Sequence, residues 1–578
     1  MFSRRDYLVL FVLLAAVAVV WIDTYRRWTA PSWSVPVAYV GDAWFELTAI
    51  QGLAESGAGP FSQHLQPRLG APAGANWSDF PVYWDLLLWT IAKGAHAVGL
   101  FPAANLAVLA AHLLAAASCF LVCRFLGAAR AWSAALAGVY ALSYYAFYRT
   151  LWHHSLLHYW HLPLVLAVAL RSFSARRPLL AGWPLAGALG VAACTGMLEF
   201  YYAAIIGQFL ALAALFHLWR RTGWRRVLVP IALGGALVAG FLVTQLDTLR
   251  YHREHGPNPA AVGRSAADVN TLALHPVQLL LPYQHAWTAL QTWSRQVYWD
   301  THPVGRSTER STYLGVVGLA GLIGLLLAAA RRLWRRRPIT WHAPLVLWTL
   351  AFAVPGGMAS MLARLDWPVV LRSNNRLSIL LLTLSIMSLA AALTASTRRW
   401  TAVRRWAAAG ALFLVGAWDQ ARHPPAQPWP LIQRTIASDR AFAAELESAV
   451  GSRTDIFMLP AVPFPEAGSD MVRGFIDYEH LRLFLASQHL RLSYGAVKGR
   501  AEIDAAVAQG KLPPDEVAAQ VVAGGWGAVA LNRKGLPDGG AALLASFERR
   551  GWSRRIESAL GDLVAVLPAP GEEGANPR

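Results

Sequence analysis

The sequence is poor in cysteine and in charge. Its 578 residues include three cysteines, Cys119, Cys123 and Cys194, all within apolar stretches, which excludes a disulfide framework and a cysteine-built zinc site. Charged residues make up 15%, against about 25% in average soluble proteins, while hydrophobic residues reach 56%. That balance excludes disorder and a wholly soluble chain. Acidic residues are scarcest in the longer N-terminal part: residues 1–418 hold 14 Asp and Glu against 34 Lys and Arg, whereas 419–578 hold 19 against 17. The net charge of +18 therefore lies between apolar segments, not on a face able to follow a phosphate backbone, and nucleic acid is excluded as a partner.

Long apolar runs are what the sequence has in abundance. A bilayer core about 30 Å thick needs about 20 mostly apolar residues to span it as a helix. Eleven candidates meet or approach this: Tyr7 to Ile22, Ala103 to Cys123, Trp132 to Tyr148, Leu157 to Leu170, Leu179 to Thr195 and Phe200 to Leu218, then Val227 to Leu246, Tyr313 to Ala330, Trp341 to Gly357, Leu377 to Ser396 and Trp406 to Trp418. A twelfth run, Val82 to Gly99, carries Asp85, Lys93 and His96 and reads as a helix lying at the interface.

Arginine placement supports eleven crossings. Six connecting segments on one side hold 20 Arg against one acid, Asp6, while those on the other side within residues 1–418 hold 14 basic and 13 acidic residues. By the positive-inside rule the first set is cytoplasmic, and counting Val82 to Gly99 as a span would destroy the pattern. This implies a multi-pass protein of the cell inner membrane, with an internal N-terminus and its C-terminal part outside. The first run ends in Trp21-Ile22-Asp23 with no small-residue cleavage site directly after it, so it reads as an uncleaved anchor.

The expected organisation is a membrane domain over residues 1–418, with long external loops at 23–102 and 247–311, and a soluble domain over 419–578. The latter follows a proline-rich stretch, Pro424 to Pro430. Helical patterns at Ser438 to Val450, Pro514 to Ala523 and Ala541 to Arg550 alternate there with apolar runs at 456–459, 490–494, 528–531 and 563–567, which predicts a small α/β domain. Gly524-Gly525-Trp526-Gly527 lies between a helix and a strand, the wrong order for a phosphate-binding fingerprint.

Three short motifs, in order and on the same side, carry a resemblance. Val40-Gly41-Asp42, about twenty residues after the first span, resembles the acidic motif in the first external loop of the GT-C membrane glycosyltransferases. Glu309-Arg310-Ser311-Thr312-Tyr313-Leu314-Gly315 and Arg372-Ser373-Asn374-Asn375-Arg376, each opening a later span, are similar to segments of bacterial multi-pass members. The resemblance implies a GT-C-like polytopic helical fold and an inverting transfer of a sugar from a polyprenyl-phosphate donor to a lipid, glycan or protein acceptor.

Such a transfer needs a carboxylate to take the acceptor proton and cations or a metal to hold the departing phosphate. Asp42 fits the first role by position, with Glu46 one helical turn later; Asp42 equally fits the cap of a helix beginning at Ala43. Glu199, on a very short external turn, ranks next, because a carboxylate near hydrocarbon is costly unless used or paired. Arg372 and Arg376 match phosphate oxygens, or else snorkel to lipid headgroups. Arg306 is a further phosphate candidate, alongside Arg250, Arg253 and Arg295, which spacing does not separate. His154, His158 and His161 have helical spacing, so His154 and His158 could ligate a divalent metal, although packing among Trp152, Tyr159 and Trp160 accounts for them more simply. The competing function class is a lipid or glycan transporter. Its ionisable groups would gather near mid-membrane, usually with internal repeats, whereas here the acids gather at segment ends and no repeat is evident.

Overall fold

The computed structural model describes residues 2–569 except 63, 81–83, 175–181, 264, 366–370, 422–427, 453 and 469–471. Val82, Arg176, Arg177, Asp470 and the stretch from Pro424 to Gln427 thus lie outside the described residues. The chain forms two compact units. One comprises Met1–Ser32, Asn105–Thr244 and Arg264–Pro425; the other comprises Trp33–Ala104, Gln245–Gly263 and Ala426–Arg578.

The first unit is helical, and each expected membrane segment contains a helix. Among the described residues seven are long and apolar enough to cross a bilayer: Arg4–Thr24, Leu100–Phe125, Phe200–Trp219, Trp224–Thr244, Gly315–Trp334, His342–Arg364 and Asn374–Ser396. Gly182–Leu198 is apolar but shorter. Arg130–Ala141, Leu162–Ser172 and Ala402–Ala421 occupy the remaining expected segments. Apolar composition selects helix here because only a helix or a closed barrel satisfies every backbone group away from water.

Glycine lets two of these helices touch at backbone distance. A Cβ on Gly196 would collide with the Leu237 carbonyl, and one on Gly240 with the Ala193 carbonyl, so helices Gly182–Leu198 and Trp224–Thr244 cross where neither has a side chain. The third expected span is interrupted at Leu142-Ser143. There the Ser143 hydroxyl accepts from the Ala146 N–H at 3.3 Å and caps a new helix, Tyr144–Arg149.

The second unit contains a short hairpin, β1 (Leu65–Gln66) antiparallel to β2 (Ala75–Asn76), and a five-stranded sheet. Its strands are β3 (Asp455–Leu459), β4 (Arg491–Leu492), β5 (Ala528–Asn532), β6 (Arg554–Glu557) and β7 (Leu563–Leu567), in the order β4-β3-β5-β7-β6. β3 pairs in parallel with β4 and β5, Ile456 opposite Ala528, while β7 runs antiparallel to β5 and β6. Both central strands are buried along their whole β5 and β7 length, as expected for a sheet covered on both faces. Phe457, Val529, Leu531 and Val564 form a core with Val517 and Phe547 from helices Pro514–Ala523 and Ala541–Glu548.

Residues of the first long loop bond to β4 and pack beside the sheet. The Leu492 N–H donates to the Arg68 carbonyl at 2.8 Å, and the N–H groups of Gly70 and Ala71 donate to the Tyr494 and Leu492 carbonyls at 3.0 and 2.8 Å. Trp77 stacks on Phe464 at 4.9 Å and on Phe45 at 5.2 Å, and its indole N–H donates to the Gly495 carbonyl at 2.7 Å. Helix Asp85–Val98, within the run read as interfacial, belongs to this unit and has 14 residues, too few to span.

Candidate active site

In the first unit, residues far apart in sequence converge on one carboxylate. Glu309 Oε2 accepts from Arg149 Nη2 at 2.6 Å, and Oε1 accepts from Arg376 Nη2 at 2.6 Å. Arg149 Nη2 also donates to Ser311 Oγ at 2.8 Å. Tyr145 lies one helical turn before Arg149, with its ring 5.0 Å from the Arg149 guanidinium, and the Tyr201 ring lies 4.8 Å from that of Arg376. Two guanidiniums against one carboxylate leave the cluster net positive. Burial favours neutral Glu309, but Arg149 and Arg376 outweigh it and hold its carboxyl well below the ordinary range. The same two arginines add to burial in keeping His153 neutral, as does nearby Arg372.

Arg149 has a buried surplus of donors. The residue has no solvent exposure, yet its Nε and Nη1 find no hydrogen-bond acceptor among the described residues. Buried donors left over in this way are costly in a folded protein and suit an anion that supplies oxygens.

Glu199 belongs to the same surroundings. It occupies the N-cap of helix Phe200–Trp219, where its Oε1 accepts from the Tyr201 N–H at 3.2 Å and its Oε2 from Ser155 Oγ at 2.5 Å. Burial raises its carboxyl above the ordinary value, opposed by the Ser155 bond and by the charges of Arg376 and Arg149. Tyr202, in the next turn, exchanges a 2.7 Å hydroxyl contact with Tyr145. Glu199 is thus a capping carboxylate within the field of the arginine pair.

The structure brings Glu199, Arg372 and Arg376 of the expected residues into one neighbourhood. It does not add Arg306, which is exposed and donates through Nε to the Asp300 carbonyl at 2.6 Å. Sequence reading missed Arg149, which looks like one more basic residue at a span end. Glu309 stands in a motif whose spacing gives it no role of its own. His154 and His158 are buried with ring centroids 6.2 Å apart, and burial pushes His154 down to about 4, favouring the neutral ring. Among the described residues no group of three or more His, Cys, Asp or Glu side chains could hold a metal ion.

Asp42 and Glu46 lie in the second unit, on helix Asp42–Ser56. The cap position falls on Gly41, whose φ of 55° suits glycine, and Asp42 is the first helical residue, so the alternative reading of Asp42 as the cap of a helix starting at Ala43 is corrected. Asp42 is half-buried, and its charge adds to burial in raising the phenol of Tyr478. Glu46, one turn on, is buried and accepts from Trp84 Nε1 at 3.2 Å through Oε2. That contact makes Glu46 a positioning group for Trp84 more readily than a base.

No family model matches the sequence, and no curated protein sequence does. Solved structures do match. The crystal structure of ArnT from Cupriavidus metallidurans in the apo state aligns with 98% of this chain and 99% of its own length, at a TM-score of 0.52 and 15% identity. The arabinofuranosyltransferase AftD from Mycobacteria aligns with 98% of this chain at a TM-score of 0.50 and 14% identity, over 42% of its own length. The Archaeoglobus fulgidus oligosaccharyltransferase covers 97% of this chain at a TM-score of 0.43 and 10% identity, over 75% of its own length. At these identities the likeness to the first two gives the fold alone: the chain shares the fold of ArnT and AftD, and it is a multi-pass helical membrane protein.

Proposed function

We propose that this chain is a membrane glycosyltransferase moving a sugar from a polyprenyl-phosphate donor to a lipid, glycan or protein acceptor. The reading places it in the inner membrane, N-terminus inside, with transfer on the outer side. The observation that carries it is the net-positive cluster of Arg149, Glu309 and Arg376, with surplus buried donors on Arg149.

In the reaction the acceptor hydroxyl oxygen attacks the anomeric carbon as the bond from that carbon to the phosphate oxygen breaks, with inversion. The lipid phosphate leaves with the bonding electron pair, and the acceptor proton passes to a base. Arg149, Arg372 and Arg376 hold the departing phosphate, where preorganised donors stabilise developing charge without reorienting. Glu309 keeps Arg149 and Arg376 apart and aimed. Asp42 takes the proton, and Glu46, one turn on, positions Trp84.

The test supplies purified protein with radiolabelled polyprenyl-phosphate sugars and follows release of lipid phosphate. Arg376→Gln should raise the donor KM, whereas Asp42→Asn should lower kcat with donor binding retained. Movement of intact donor across vesicles without any cleavage would replace the enzyme reading by transport.

A further inference from the structure

Outside the candidate active site, the first unit has an apolar groove of about 400 Å³ between helices Arg4–Thr24, Arg130–Ala141 and Ala402–Ala421. Its floor is made of buried side chains, Leu13, Ala131, Ala135 and Ala409, and its rim of the exposed Leu8 and Trp406. Gly138 allows Leu13 and Phe413 to close one end, since a Cβ there would meet Phe413 at 2.5 Å and Leu13 at 3.2 Å. The lining residues occupy the first two turns of Arg130–Ala141 and run from the second to the fourth turn of the other two helices. Each of these helices begins at an arginine-rich connection, so the groove lies toward the arginine-rich ends of the three helices.

Charge at that end is one-sided. Arg4 and Arg5 precede Leu8 by about one turn, Arg130 adjoins Ala131, and Arg404 and Arg405 adjoin Trp406. The one acid in these three connections, Asp6, is already engaged, accepting from Arg124 Nε at 2.8 Å and Arg130 Nε at 2.9 Å. Arg4, Arg5 and Arg404 remain exposed. A second copy of this chain seated here would set the same arginines against each other. A molecule with an apolar chain and an anionic head suits both parts, and the leaflet itself supplies one.

We propose that this groove binds an anionic phospholipid, with an acyl chain along Leu13, Ala131 and Ala409 and the phosphate at the arginine ends of the three helices. Basic pockets between membrane helices hold anionic headgroups in this way. The site is independent of the proposed sugar transfer and stands or falls without it.

Gly410 provides a clean probe. It lines the groove, and a Cβ there meets nothing within 4 Å, so Gly410→Leu starts a side chain in open space at the groove wall and replaces a poor helix former by a good one. The full chain is delipidated, incubated with phosphatidylglycerol or phosphatidylcholine, and examined by native mass spectrometry. The wild type should retain one phosphatidylglycerol in preference to phosphatidylcholine, and Gly410→Leu should retain neither at that site. Arg404→Gln with Arg405→Gln should keep a lipid but cut the preference by about 30-fold, the effect of two basic residues near a charged head at ~1 kcal/mol each. Absence of any headgroup preference in the wild type would overturn the proposal without reference to a variant. So would undiminished lipid in Gly410→Leu, or a disulfide-linked dimer formed by Gly410→Cys in membranes, which would assign the groove to a second copy.

Discussion

Arg149 and Glu309, 160 positions apart, form a 2.6 Å ion pair in which the arginine has no solvent exposure. Such a pair is kept at the expense of desolvating both charges, and here the carboxylate also separates two guanidiniums. Removing one member of a buried pair costs about 3–5 kcal/mol, because the other is left uncompensated. Glu309→Gln should therefore lower the thermal midpoint of the purified protein markedly, and adding Arg149→Met should recover part of the loss. Unchanged melting of Glu309→Gln would mean that the arginines are stabilised by other groups.

Asp42→Asn should behave oppositely. Gly41 holds the helix cap and Asn keeps the size and shape of the Asp42 side chain, so the substitution should leave folding and protein yield nearly untouched. Transfer should fall by at least ~10²-fold, the low end of general-base effects. Activity within a few-fold of wild type would take Asp42 out of the mechanism.

The seven long membrane helices were legible because their physics is local: about twenty apolar residues in a row read as a spanning helix. β3, β5 and β7 were legible for the same reason. β6 was not, since Arg554-Arg555-Ile556-Glu557 buries only Ile556 and has the composition of a solvated loop. The candidate site was legible only in part. Arg376 and Glu199 could be singled out by charge near hydrocarbon, but the pairing of Arg149 with Glu309, or of Asp79 with Arg500, depends on long-range packing that no spacing encodes.

Sidedness can be read with two cysteines. Ala505 is exposed on helix Ala501–Gln509, and Trp224 is exposed beside an arginine-rich connection. A membrane-impermeant thiol reagent added to intact cells should label Ala505→Cys and spare Trp224→Cys, while the buried Cys119 and Cys123 stay unreactive. The reverse pattern would invert the orientation.

A buried acid–base group should make stability depend on pH. His64 Nε2 lies 3.1 Å from Asp85 and 3.8 Å from Asp247, all three side chains being buried. Burial lifts Asp85 to about 6, against the opposing influence of His64; Asp247 is raised too, and contact with both acids lifts His64 over its own desolvation. The folded state therefore binds more protons than the unfolded chain. For Asp85 this contribution is complete below about 4 and is lost as pH rises through about 6, a change of order 3 kcal/mol. Thermal unfolding should show stability falling across that window, with a shallower fall in Asp85→Asn. A rise in stability over the same window would contradict the assignment.

Truncation after Asp419 should damage more than the part removed. Asp79 is almost fully buried; it accepts from Arg500 Nη2 at 2.8 Å and Nε at 2.9 Å, and its remaining partners are His252 at 3.0 Å and Asn258 at 2.6 Å. Without Arg500 that carboxylate keeps no strong cation, a loss of about 3–5 kcal/mol by the rule for broken buried pairs. Trp77 would lose Phe464 and its carbonyl acceptor on Gly495 in the same cut. The helices of the first unit carry their own apolar spans and should still insert. Residues 33–104, deprived of the sheet they complete, should become open to protease in the truncated chain while resisting it in the full one. Arg500→Gln should reproduce part of this sensitivity in the full-length protein, because it removes the cation and leaves the aromatic stack in place. Equal resistance in all three would show that the loop residues fold without the C-terminal sheet.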